Sequence, residues 1–168
     1  VTDIFPALAL AVEPASPSTM KRSPRSSDEN LLSGSFLVLI AWQGVMLAAI
    51  TLSAYLWALN EYGPGSHART VAMLGLVGVQ IGHTFNCRSR THSVFRGFFG
   101  NPYLFAAMAV VILLQLSAIY VPALAQLLGL VEPNWKDLIA TIGCVVLPIV
   151  VVEMIKLVQP PRLAGRDG

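Results

Sequence analysis

The sequence predicts an all-α membrane protein: half a helix followed by four transmembrane helices forming part of a helical bundle. Three observations lead there. Of 168 residues, 55% are hydrophobic and 12% charged, about half the charge of an ordinary soluble domain. Long apolar stretches recur, separated by loops rich in Pro, Gly and Ser. The basic residues collect on alternate loops, as the positive-inside rule requires.

The first apolar run, VTDIFPALALAVEP, carries Asp3 beside Thr2, with Pro6 one turn further on. About a dozen residues reach ~18 Å at ~1.5 Å per residue, against ~30 Å of bilayer hydrocarbon. Residues 1–13 therefore read as the second half of a transmembrane helix, entered partway because the chain opens on Val. An acid inside a membrane segment is costly and as a rule faces a protein interior or an ion path. Pro6 removes a backbone donor and leaves carbonyls toward Thr2 in need of a partner. A carboxylate, a hydroxyl and loosened carbonyls are the oxygen-rich set that a hard cation takes. The competing reading is a helix stub with Asp3 exposed or acting as a cap.

Residues 14–33 form a polar loop, Pro- and Ser-rich, that cannot cross a bilayer. Residues 34–59 are apolar throughout, with Trp42 and Trp57 toward the two ends. EYGPGS makes a turn, and 70–87 is a second complete span, shorter and more polar. A basic loop follows over 88–101, and Asn101-Pro102 opens the third span, 103–121, which Pro122 closes. A mildly amphipathic connection, PALAQLLGLVEPNWK, leads to the fourth span, 138–158, in which Pro148 predicts a kink. Glu153 and Lys156 are spaced to pair. Residues 159–168 read as a polar tail.

Nine cations (Lys21, Arg22, Arg25, Arg88, Arg90, Arg96, Lys156, Arg162 and Arg166) fall on one side of this layout. Arg69 and Lys136 fall on the other. The expectation is a multi-pass protein of the cell membrane with 14–33, 88–101 and the C-terminus cytoplasmic. The net charge of +2 gives no case for nucleic acid as a partner; the lipid bilayer is the partner expected. Cys87 and Cys144 form no disulfide framework.

Within the second span, Gln80, His83 and Cys87 share one helix face. Gln80 is either a cation ligand through its amide oxygen or an interhelical hydrogen-bond partner. His83 and Cys87 lack the third ligand that a soft metal would need, so a hydrogen-bonded histidine is expected. Gly75, Gly78 and Gly82 form a small-residue stripe that lets another helix come close, and Gly44 with Ala48 marks a further contact face. Gln43 and Gln115 are read as packing contacts. There is no phosphate loop, HExxH, GxSxG or usefully spaced carboxylate pair, so no catalytic residue is assigned.

VTDIFPALALAVEP followed by MKRSPR resembles the sixth transmembrane helix and next cytoplasmic loop of P-type cation-transporting ATPases, in their calcium and sodium–potassium pump branch. NCRSRTHSVF resembles the loop between the eighth and ninth helices, and LLQLSAIYVPAL the end of the ninth. The resemblance runs through essentially the whole chain and implies its sixth to tenth helices. It further implies Thr2 and Asp3 as cation ligands, Ca²⁺ as the transported ion, and Na⁺, K⁺ or Mg²⁺ as alternatives. A family Asn four residues before the Asp would precede residue 1, and ligands from the fourth and fifth helices are not in this sequence. The phosphorylated Asp-Lys-Thr-Gly motif and nucleotide domain are not in it either, so ATP and Mg²⁺ would act through a preceding part of the pump. That part, or a partner helix, is the protein partner implied.

Counting six residues back from Asn86 puts Gln80 where the sarcoplasmic type of calcium pump has a Glu; the neutral amide implies a single calcium site. Ser23 stands where the family commonly has Pro. Two other readings remain open on sequence alone. One is a standalone membrane scaffold or regulatory protein derived from a truncated pump. The other is an ion channel, for which Gln43, Gln80, His83 and Gln115 offer no filter unless the chain oligomerises.

Overall fold

A computed structural model describes residues 4–12, 34–87 and 101–158. Among the described residues every regular element is an α-helix: α1 (Ile4–Ala11), α2 (Gly34–Tyr62), α3 (Ser66–Cys87), α4 (Pro102–Tyr120), α5 (Pro122–Leu128) and α6 (Trp135–Val158). The fold is an all-α membrane bundle. Thr2, Asp3, the 14–33 loop and residues 88–100 lie outside the described residues.

By length and composition α2, α4 and α6 can each cross a membrane. The polar α3 falls short of that standard, and it is the helix the others surround: it packs most extensively on α6 and then on α2. Half of its residues are buried, whereas α2 buries almost nothing. This inverts the soluble pattern. Against lipid the apolar side chains belong outside, and the small and polar ones sit where helices meet. Exposed Val38, Val45, Leu113, Ile142 and Val150 follow from the same logic.

The glycine stripe forms the α3–α6 contact. A Cβ on Gly75 would meet Cys144 Sγ at 3.4 Å, and one on Gly78 would meet the Thr141 carbonyl oxygen at 3.2 Å. At Gly82 an added Cβ would overlap the Val145 carbonyl oxygen outright. Only a residue without a side chain allows that approach. Asn86 completes the contact one turn on, donating from Nδ2 to the Pro148 carbonyl at 2.9 Å. α6 remains helical through Pro148, which is buried. At its far end Glu153 and Lys156 pair at 3.0 Å, as their spacing predicts.

α1 packs on α4. Ala9 joins Leu104, Ala107 and Met108 in one buried cluster, with Leu10 and the α3 residues Ile81 and Phe85 against it. Fully buried Asn101 holds this corner together. Its Oδ1 accepts from Leu104 N–H at 3.2 Å, which caps α4, and its Nδ2 donates to the Ala9 carbonyl at 2.9 Å. That carbonyl is among the last four of α1, which have no partner within their own helix. Pro6 lies in the first turn of α1 as described and is buried.

Candidate functional site

Gln80 is the predicted ligand that the structure describes. It lies two residues beyond Gly78, about 200° round the helix, and so faces away from the α6 contact. Its Oε1 is buried and accepts no hydrogen bond among the described residues. The side chain borders a cleft of about 530 Å³ between α2 and α3, lined also by Gly44, Ala48, Thr51, Tyr55 and Ala72. Thr51 cannot satisfy it as a donor, since its hydroxyl is committed to the Leu47 carbonyl at 3.0 Å. A buried amide oxygen without a donor forfeits its hydration, a cost that either a hydrogen-bond donor or a cation offsets.

His83 continues the same face. Its Nε2 lies 3.4 Å from Cys87 Sγ, and its Nδ1 is buried without a hydrogen-bond partner among the described residues. No cluster of three His, Cys, Asp or Glu side chains occurs among the described residues, so the pair gains no third soft-metal ligand. Gln115 is buried on α4 with its Nε2 unpaired among the described residues, and Gln43 is half-buried on α2.

Thr2 and Asp3 fall outside the described residues, but the helix that leads from them does not. α1 and α3 end close together: Ala9 and Phe85 belong to one packed corner, and Phe85 meets Phe105 with ring centroids 6.3 Å apart. From Ala11 back to Ile4 is seven residues, and from Cys87 back to Gln80 is seven residues. At ~1.5 Å per residue each path runs ~10 Å into the bundle. Counted along each helix from that corner, Ile4 and Gln80 are the same number of residues away. They are on different sides of α3, however, because the α1-facing Ile81 is about 100° from Gln80.

At the opposite end lies a polar clamp that sequence reasoning missed. Asn134 caps α6, its Oδ1 accepting from Lys136 N–H at 2.8 Å and Asp137 N–H at 3.1 Å. Asp137, fully buried, returns a bond from Asn134 N–H to Oδ2 at 2.9 Å. Asn134 Nδ2 donates to the Tyr62 hydroxyl at 2.9 Å, and Lys136 pairs with Glu61, so α2 is tied to the start of α6. His67 lies 3.6 Å from Asp137 and stacks near Tyr62. The Asn-x-x-Asp spacing of a reciprocal cap was the available signal.

Known proteins align with this sequence over most of its length. The family model described as cation transporting ATPase, C-terminus, matches residues 1–158. Calcium-transporting ATPase 1 of Bacillus cereus is 35% identical over 176 residues, covering 95% of this chain and 20% of the relative. Calcium-transporting ATPase of Bacillus subtilis is 32% identical over 149 residues, covering 88% and 17%. Probable cation-transporting ATPase F of Mycobacterium tuberculosis is 34% identical over 125 residues, covering 73% and 14%. The chain thus spans a fifth or less of the length of these relatives.

Proposed function

The chain belongs to the family of cation-transporting ATPase C-termini, and from that premise we propose that it is the C-terminal membrane part of an ATP-driven Ca²⁺ pump. Its α1 through α6 correspond to the pump's sixth to tenth membrane helices, α3 crossing the bilayer as the enclosed one. ATP hydrolysis and Mg²⁺ binding belong to the preceding domains of the intact pump. This segment supplies cation ligands and the frame that holds them.

In this reading Asp3 provides the negative charge, Thr2 a hydroxyl oxygen and Gln80 a neutral amide oxygen. A hard cation takes oxygen ligands at about 2.3–2.6 Å, so such a set suits Ca²⁺. The observation that carries it is the family match over residues 1–158, and the buried, donorless Gln80 Oε1 beside the α2–α3 cleft supports a role for that amide. A neutral amide at this position supports one Ca²⁺ per cycle. The basic residues favour placing 14–33, 88–101 and 159–168 in the cytoplasm.

The test is Ca²⁺-stimulated ATPase activity of the full-length protein carrying Gln80→Ala. Loss of one neutral ligand lowers apparent Ca²⁺ affinity by about tenfold, or about 1.4 kcal/mol. An unchanged half-saturating Ca²⁺ concentration would remove Gln80 from the site.

A further inference from the structure

α5 plays no part in the cation site, yet its position is closely determined. The 19 residues of α4 extend ~28 Å, close to the ~30 Å of bilayer hydrocarbon, so Tyr120 lies near one boundary. After α5 the chain does not rise away from that boundary. Gly129 adopts a left-handed conformation (φ 63°), its N–H reaching the Gln126 carbonyl at 3.3 Å, and Leu130 N–H bonds the Ala125 carbonyl at 2.8 Å. This closure turns Leu130 inward, where it is buried against Leu74 and the last-turn residues Ala118 and Ile119 of α4. Val131 N–H then donates to the Thr70 hydroxyl at 3.0 Å. Both ends of α5 are therefore held at the level of the last turn of α4.

None of the α5 residues is buried. Leu127 is 80% exposed, and Leu124 and Leu128 are exposed beside it. They continue the apolar surface of Tyr120 and Val121, and exposed Trp135 follows at the start of α6. A cation sits at the C-terminal end of this surface: the Arg69 guanidinium lies directly against Gly129, and Arg69 makes no ion pair among the described residues. An apolar face at the hydrocarbon boundary with a cation at its edge matches one chemistry, that of a phospholipid.

We propose that α5 is an interfacial lipid seat: Leu124, Leu127 and Leu128 insert among acyl chains, and Arg69 meets the lipid phosphate. The seat rests on the membrane placement of α4 and α6 and is independent of the cation site.

The full-length protein, reconstituted in phosphatidylglycerol nanodiscs, is labelled with hydroxyl radicals and read by mass spectrometry. The α5 leucines are expected to show protection within about twofold of Leu113, the lipid-facing control in mid-α4. Labelling about tenfold above Leu113 would overturn the proposal. Strong labelling of Leu113 itself would instead count against the membrane placement. Native mass spectrometry supplies the headgroup arm: wild type retains one more phosphatidylglycerol than Arg69→Gln, and equal retention would overturn the role of Arg69.

Discussion

At Gly82 the backbones of α3 and α6 come so close that a single methyl group would overlap the Val145 carbonyl oxygen, whereas at Gly78 the corresponding approach is 3.2 Å. A methyl at Gly82 must push backbone aside, because no flexible side chain is there to yield. Gly82→Ala is therefore expected to cost about 1–3 kcal/mol of bundle stability, and Gly78→Ala less. Detergent-induced unfolding measures both, and equal effects would contradict the packing described. Asn101 makes a finer test because its two ends do different work. Asn101→Asp keeps the acceptor for Leu104 N–H and loses the donor to the Ala9 carbonyl. It should leave α4 protected and raise hydrogen exchange in α1, while Asn101→Ala loosens both at about 1–2 kcal/mol. Gly75, Gly78 and Gly82 were legible as a contact stripe because small residues at helical spacing have few other uses in a membrane. The partner of that stripe was not legible, since nothing local to α3 points to Thr141, Cys144 and Val145.

Among the elements, α3 shows why hydropathy is a poor guide to position in the bundle. It is the least apolar of the long helices and the most enclosed. Its polar side chains bond across helices, Asn86 to α6 and Thr70 to the segment before α6, or back along their own turn, Thr84 to the Gln80 carbonyl at 2.7 Å. Interhelical bonds of this kind average about 0.6 kcal/mol each in membranes. The start of α6 concentrates more: Asn134 serves two α6 backbone N–H groups and the Tyr62 hydroxyl, with Asp137 bonding back. Asn134→Ala should therefore exceed an ordinary cap loss and reach the upper end of about 0.5–2 kcal/mol. It should also free the end of α2, visible as faster exchange around Leu59–Tyr62. Exchange confined to α6 would show that the clamp does not join the two helices. The cap pair could have been read from its spacing; the link to Tyr62 depends on a turn at Gly63 (φ 73°) that brings distant segments together.

For the whole molecule, the charge distribution and the proposed cation site make separate claims. Cys87 offers a natural reporter of orientation because its thiol is exposed while Cys144 is buried. In sealed vesicles a membrane-impermeant maleimide should label Cys87 from the cytoplasmic side and not from the other; the reverse would invert the topology. The apolar composition and the basic loops made the membrane class legible, whereas the corner where α1, α3 and α4 meet through Ala9, Phe85 and Leu104 joins residues far apart in the chain and could not be counted along it. The central claim is that a cation compensates an acid held inside this bundle. Equilibrium Ca²⁺ binding to the full-length protein, wild type against Asp3→Asn, tests it most directly. One Ca²⁺ per molecule is expected in the wild type, and its loss in the variant. Binding of equal stoichiometry and affinity in both would contradict it.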